Sequence, residues 1–363
     1  MSLHAEVISE TARLEELAPA WDALAVAAAL PFCAPGWLLP WWRSAAPASA
    51  RLHTVAAFEA QRLVALAPFF ADDDALVPLG AGANTRVEPV AVAGQEAEAA
   101  AAVAPALGQA GAAFLRLPGI PETSPWPELL AEAWPGGKAW LHEDERMAAP
   151  LVELPETFEE WFGSRSSRFR KQVRQYERTL AERGAKLKLG AGDGAIERFA
   201  ALHRARWADR GTTFLDERVE AAVATAAREL PPERLRLFTI DTSEGAVAAT
   251  LFVAAGGEVG SWLGGFDAAW GDLTPQLLLG VEAIRDAIGR GDSRIDLGAG
   301  IVEYKQRLAT ADETLRWVTL VPPGPRQLLT RLRMTPGQAR LAVSRRLSAE
   351  QKRRVKRLLR RSS

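Results

Sequence analysis

The strongest constraint on what this chain can fold into is an order of elements that occurs twice. Lys186 to Leu189 alternates like a strand, and a helix follows with Phe199, Leu202 and Trp207 at helical spacing, capped by Asp193 and stopped at Gly211. A second helix runs from near Asp216 to just before Pro231. Three strands come next, Leu235 to Asp241, Ala246 to Val253 and Val259 to Phe266, separated by turns at Glu244-Gly245 and Gly256-Gly257. A helix from Thr274 or Pro275 to about Gly289 then shows Leu277, Val281, Ile284 and Ile288 on one face, before strands at Arg294 to Leu297 and Leu315 to Val321. The first half reads in the same order. It has a strand at Ala5 to Ile8, a helix around Leu14, Leu17, Trp21 and Leu24, and a tryptophan-rich segment at Trp37 to Trp42. Strands at Leu52 to Phe58, Arg62 to Phe69 and Leu76 to Leu79, a helix at Glu96 to Leu107 and a strand at Ala113 to Leu117 complete it. A duplication of this kind decides the architecture before any single motif does.

Length agrees with a duplicated plan, because 363 residues exceed what one core usually serves. The expected division is 1–153, 154–323 and a tail at 324–363, with Thr157-Phe-Glu-Glu160 opening a helix as a capping box. The net charge of −1 conceals an asymmetry. From Arg326 to Ser363 there are 13 basic residues and one acid, Glu350, so the tail is basic and the body acidic. Between the halves, Phe169, Val173, Tyr176 and Leu180 form an apolar stripe flanked by Arg165, Arg168, Arg170, Lys171, Arg174 and Arg178. That crowding suits either a solvated face or a surface that meets anions.

Several function classes lose their support. A lone Cys33 rules out an internal disulfide framework, and His4, His53, His142 and His203 lie too far apart for a local metal motif. Gly80-Ala-Gly82 and Gly298-Ala-Gly300 do not complete a dinucleotide fingerprint, because Thr85 and Glu303 stand where the third glycine belongs. They read as strand ends and tight turns. With no basic leader before Glu6 and no apolar run long enough for a bilayer, the chain is expected to be cytoplasmic.

Residues 157–321 resemble the CelD/BcsL-like acetyltransferases of bacterial cellulose and exopolysaccharide gene sets, a branch of the GNAT superfamily related to the FemAB peptidyltransferases. Four pieces carry the resemblance. They are Ser-Ser-Arg-Phe-Arg-Lys-Gln-Val-Arg-Gln ending in Glu-Arg-Gly184, Leu-His203-Arg-Ala-Arg-Trp207, Trp262-Leu-Gly-Gly-Phe-Asp267 with Thr274-Pro-Gln-Leu-Leu-Leu, and Asp296-Leu-Gly-Ala-Gly with Tyr304-Lys305. Trp21, Trp37, Trp41-Trp42 and Ala65-Leu-Ala-Pro-Phe match the family's first half. The resemblance implies an α/β fold with a mixed sheet, built of tandem GNAT-like domains followed by a basic helical tail, in which the first domain is degenerate and the second catalytic.

It also implies a co-substrate, acetyl-CoA or another acyl-CoA, and no permanently bound cofactor or metal. The donor would lie where Val259 to Phe266 and Arg294 to Leu297 diverge, its pyrophosphate at the helix terminus formed by Leu273, Thr274, Gln276, Leu277 and Leu278. Free amides and the helix dipole make such a terminus an anion site. The Thr-Pro-Gln-Leu start departs from the family's glycine-bearing phosphate loop, and Asp272 is an unhelpful neighbour. Acyl transfer needs a neutral nucleophile, a polarised carbonyl and a proton for the thiolate. Asp267, Asp296 and Glu303 are the candidate bases, Asp267 first, and Tyr304 is the candidate acid. Lys305 would bind an acidic group or Glu303. Arg170, Lys171, Arg174, His203 and Trp207 would face the acceptor, although for Trp207 the core reading wins.

The acceptor expected on this reading is an amino or hydroxyl group of a sugar-derived or envelope precursor. Two alternatives stay open: FemAB-like transfer from aminoacyl-tRNA, and a non-catalytic scaffold in polysaccharide assembly. The tail suits peripheral contact with an anionic membrane or docking on the acidic body, and nucleic acid enters only under the tRNA alternative.

Overall fold

The computed structural model describes residues 3–82, 86–190, 194–207, 215–325, 327–328 and 330–331. Asp193 and Gly211, expected to bound a helix, lie outside the described residues, as does the tail beyond residue 331.

The first half runs β1 (His4–Ile8), α1 (Thr11–Glu16), α2 (Ala18–Ala27), α3 (Pro35–Ala45), β2 (Arg51–Leu52), β3 (Thr54–Glu59), β4 (Arg62–Ala67), β5 (Phe69–Asp72), β6 (Ala75–Pro78), β7 (Val90–Ala91), α4 (Glu96–Gly108), β8 (Phe114–Pro121), α5 (Trp126–Glu132) and β9 (Trp140–Glu153). The second runs α6 (Phe158–Ser164), α7 (Ser167–Glu182), β10 (Lys186–Leu189), α8 (Ala195–Trp207), α9 (Glu217–Glu229), β11 (Leu235–Thr242), β12 (Gly245–Ala255), β13 (Glu258–Phe266), α10 (Pro275–Arg290), β14 (Arg294–Asp296), α11 (Glu303–Leu308) and β15 (Ala311–Val321). The fold is a mixed α/β fold.

Local chemistry accounts for the boundaries. The hydroxyl of Thr157 accepts from the Glu160 amide, Ser166 from Phe169 and Asp216 from Val219, so α6, α7 and α9 each begin on a side-chain cap. The single strand expected from Arg62 to Phe69 is instead two, β4 and β5, which belong to different sheets. Pro68 lies between them and has no amide to continue a ladder.

A sheet of 11 strands runs β10-β11-β12-β13-β14-β9-β15-β8-β6-β5-β2, and a smaller one runs β1-β3-β4-β7. The large sheet is close to symmetric about its centre. Each half supplies one parallel pair, β13 with β14 and β6 with β8, and the last strand of each half, β9 and β15, lies between those pairs. β9 bonds to β14 and to β15, while β15 bonds to β9 and to β8. The strand that ends the first half thus completes the sheet of the second, and the reverse.

The core follows from this arrangement. Ala248 to Ala255 of β12 are all buried, as a central strand covered on both faces requires. α10 covers one face with Leu277, Leu278, Leu279, Val281 and Ile284, and burial of each such side chain contributes roughly 1.5–3 kcal/mol. The other face meets α3 from the first half, where Trp37 packs edge-on to Trp262 of β13 at 5.0 Å. Small residues on β13 permit these approaches. A Cβ on Gly260 would come within 2.5 Å of the Phe32 ring, and one on Gly265 within 2.4 Å of the backbone nitrogen of His203.

Candidate active site

The parallel pair of the second half opens. β13 is bonded to β14 only from Glu258 to Gly260, opposite Arg294 to Asp296, and then continues to Phe266 with no strand on that side. Its register with β12 shifts between Thr250 and Phe252, a bulge that places Trp262 and Leu263 opposite one residue and turns the strand. Past Asp296 the chain follows β9 instead, with Leu297 and Gly300 donating to the carbonyls of Pro150 and Ala148. The expected divergence of the two strands is present.

α10 starts at the far end of that opening. Thr274, at φ 47° and ψ 63°, precedes Pro275, and no side chain caps the helix. Its first turn carries no acid. Asp272 is held by Arg183 through a 2.5 Å ion pair, which offsets the charge that would otherwise repel an anion there. Leu273, Leu277 and Leu278 are buried in the core, so only their peptide groups are available to a ligand. Gln276 is engaged: its amide donates to the carbonyls of Ala249 (3.4 Å) and Gly265 (3.2 Å), and its Oε1 accepts from Thr250 at 2.5 Å. It ties β12 and β13 together beneath the opening.

The residues expected to be catalytic separate into two groups. Asp267 is exposed and caps the short 3-10 turn Ala268–Leu273, accepting from the Ala269 amide at 2.9 Å. At about 3.3 Å per residue, less the bulge, it lies roughly 20 Å along the strand from the level of Asp296. Asp296, Tyr304 and Lys305 gather at the other end. Asp296 is buried and engaged, accepting from the Gly298 amide at 2.9 Å and pairing with Arg86 at 3.3 Å. The Lys305 ammonium does not meet Glu303, which is exposed; it donates to the carbonyls of Gly298 (3.1 Å) and Ala299 (3.0 Å) and pins the loop after β14. Burial pulls Lys305 down to about 8, against the charge of Asp296. The Tyr304 hydroxyl is pushed up to about 12 by burial and has no hydrogen-bond partner among the described residues. It stays a neutral donor across physiological pH.

Beside this end lies a buried charge cluster that the sequence did not suggest. Arg86 of the first half meets Asp296, Glu313 at 2.7 Å and Glu258 at 4.0 Å, and Arg294 meets Glu258 at 2.5 Å. Burial pushes Glu258 up to about 7, against its guanidinium partners. Glu88, bonded to Ser124, is likewise pushed up by burial to about 7. Arg86 and Glu313 stand 227 residues apart in the chain, which is why no local pattern announces the contact.

The residues expected to face an acceptor also divide. His203 is buried, and its Nδ1 lies 3.0 Å from the carbonyl of Gly264, which fixes the Nδ1–H tautomer. Its Nε2 has no partner among the described residues, and burial holds the ring below its usual pKa. Trp207 is half-buried, with its ring 6.1 Å from His203, and is not part of the core. Arg170 closes the turn between α6 and α7 through the carbonyls of Gly163 (2.8 Å) and Arg165. Lys171 and Arg174 are exposed on the outer face of α7, and Arg174 stacks on Phe162.

Residues 167–306 match the family described as "Acetyltransferase (GNAT) domain". The matched stretch contains the opened strand pair, α10 and Tyr304. No significant match to a curated protein was found. Among solved structures, FemX aligns with a TM-score of 0.61 at 11% identity, over 90% of this chain and 99% of that one. A conserved protein of unknown function from Bacteroides thetaiotaomicron aligns at 0.55 and 11% identity, over 87% and 99%. L-PGS from Bacillus licheniformis aligns at 0.50 and 11% identity, over 81% and 95%. At such identities the likeness extends to the fold. Among the described residues, no cluster of His, Cys, Asp and Glu could hold a metal ion, and no helix is long and apolar enough to cross a membrane.

Proposed function

We propose that this protein transfers an acyl group, acetyl in the simplest case, from acyl-CoA to an amino or hydroxyl group of a sugar-derived or envelope precursor, as in the CelD/BcsL-like branch. The observation that carries the reading is the opening of β13 from β14 beyond Gly260, with the acid-free, uncapped start of α10 at its far end. The diphosphate of the donor sits at the start of α10, where the helix dipole favours negative charge, although the Thr274 and Leu277 amides already donate to Gly271 and Thr274, and Pro275 has none. Its thioester then extends along the open edge of β13 toward the bulge at Trp262 and Leu263. As the acceptor nitrogen or oxygen bonds the acyl carbon and the C–S bond breaks, Tyr304, neutral and unpartnered, donates its proton to the departing thiolate, and the proton lost by the acceptor returns through solvent to the tyrosinate. Lys305 and Asp296 act as positioning residues that hold the loop on which α11 is mounted. Asp267 takes no part in proton transfer, because its oxygen is bound to a turn amide at the diphosphate end.

Calorimetric titration with acetyl-CoA tests this. Saturable binding at one site per chain, lost on Thr274→Asp, is expected. An unchanged melting temperature with millimolar acetyl-CoA, and no heat on titration, would overturn it.

A second reading has its own support. FemX aligns over nearly the whole chain, and Thr274-Pro-Gln-Leu lacks the glycines of the common CoA phosphate loop. On that reading the donor is an aminoacyl-tRNA, and binding of charged tRNA with no response to acetyl-CoA would select it.

A further inference from the structure

One face of the second half has the composition of a lipid-binding surface. With 3.6 residues per turn, Arg168, Lys171, Arg174 and Arg178 of α7 fall within an arc of about 120°, opposite the stripe of buried Phe169, Val173 and Leu180 and half-buried Tyr176. All four are exposed, and none has a carboxylate within 4.0 Å among the described residues. Elsewhere among the described residues Arg13, Arg43, Arg86, Arg146, Arg183 and Arg234 each meet an acid. Glu182, in the last turn, is the one acid on the cationic arc, and Glu177 is turned away to Arg285.

The second observation is independent of charge. Ile301 and Val302 are 63% and 46% exposed, next to each other in the loop that leads into α11. α11 is mounted on the flank of α7: Arg307 donates to Gln172 at 2.7 Å and stacks on Phe169, and Arg165 donates to the Ala309 carbonyl at 2.8 Å. Six helical residues rise only about 9 Å, so the aliphatic pair lies within one short helix length of the α7 flank at Gln172 and Phe169.

We infer that this face binds an anionic phospholipid bilayer, α7 meeting the headgroup phosphates while Ile301 and Val302 enter the acyl boundary. Unpaired cations alone would suit a nucleic acid equally. The exposed pair decides between them, since aliphatic side chains gain from hydrocarbon and offer bases no ring to stack on. The contact sets Tyr304, two residues beyond Val302, at the bilayer surface. It does not depend on the acyl-transfer reading and would stand if the protein bound no CoA.

Flotation of the full chain with vesicles of phosphatidylcholine containing 30% phosphatidylglycerol, and of phosphatidylcholine alone, tests it. The wild type is expected to float with the anionic vesicles and to remain below with the neutral ones. At about fivefold per basic residue near an anionic surface, Lys171→Gln/Arg174→Gln/Arg178→Gln is expected to weaken partitioning about 100-fold. Ile301→Ser/Val302→Ser is expected to weaken it at least tenfold, with melting temperatures unchanged in both variants. If both variants float like the wild type, the basic tail carries the binding and the inference is overturned. It is overturned too if the wild type does not float, or if transfer RNA and not vesicles responds to the two variants.

Discussion

The two halves share an order of elements and differ where a donor would sit. In the first, β6 pairs with β8 at Ala75 and Leu76 and stops at Pro78, and the helix that follows, α4, opens with Glu96 and Glu98 in its first turn. Glu96 already accepts from the Gly94 amide at 3.2 Å, so carboxylates occupy the positive end of that helix. In the second, β13 continues six residues beyond its last pairing with β14, and α10 begins with no acid and no side-chain cap. The same scaffold thus carries carboxylates at one helix start and none at the other.

Four changes would break or sharpen this contrast. Removing the Tyr304 hydroxyl should have the largest effect: Tyr304→Phe is expected to lower kcat by about 100-fold with the donor Kd unchanged, as loss of a general acid does. An equal loss in Kd would mean that the hydroxyl binds donor instead.

The buried carboxyls of the charge cluster come next. Glu88 titrates near 4.5 when free and near 7 when folded, so the folded state holds the extra proton between those values, and stability falls as pH rises through that window and is level above it. Glu258 acts in the same direction. Lys305 acts oppositely between about 8 and 10.5, where the unfolded chain binds the proton. Glu88→Gln keeps a partner for Ser124 and is expected to raise the melting temperature at pH 8 by a few degrees, with little change at pH 5. A contribution up to ~3 kcal/mol is the ceiling set by such a shift.

Thr274→Asp makes the start of α10 resemble that of α4. Asp tolerates the left-handed backbone of this position, and its charge is expected to weaken acetyl-CoA binding at least tenfold in a calorimetric titration. The reverse exchange is the smallest. Glu96→Gln/Glu98→Gln in α4 should cost roughly 0.3–1 kcal/mol per residue in denaturant unfolding and create no CoA binding, because β6 and β8 offer no opening beyond Pro78.

The repeat was legible because its elements announce themselves locally. The caps at Thr157 and Asp216, the turns of the β11-β12-β13 meander and the periodicity of α10 are short-range patterns, and they appear where the residues indicate. β9 was missed. Its 14 residues include the polar run His142-Glu-Asp-Glu-Arg146, which shows no strand alternation, and β14 and β15 supply the ladder that makes them a strand. Of the site, the level of Tyr304 and the start of α10 could be read from the order of elements. Asp267 could not be told from a turn-capping aspartate, since both readings require the same residue at the same strand end. Arg86 was out of reach for a different reason: its partners come from β13, β14 and β15, and only tertiary folding brings them to it.

The crossed placement of β9 and β15 reaches beyond the site. Neither copy carries its own closing strand, so cutting the gene at the seam would leave both products with a raw sheet edge. Each half is thus the other's edge protection, and separating them would expose rows of amides and carbonyls ready to pair with any passing strand.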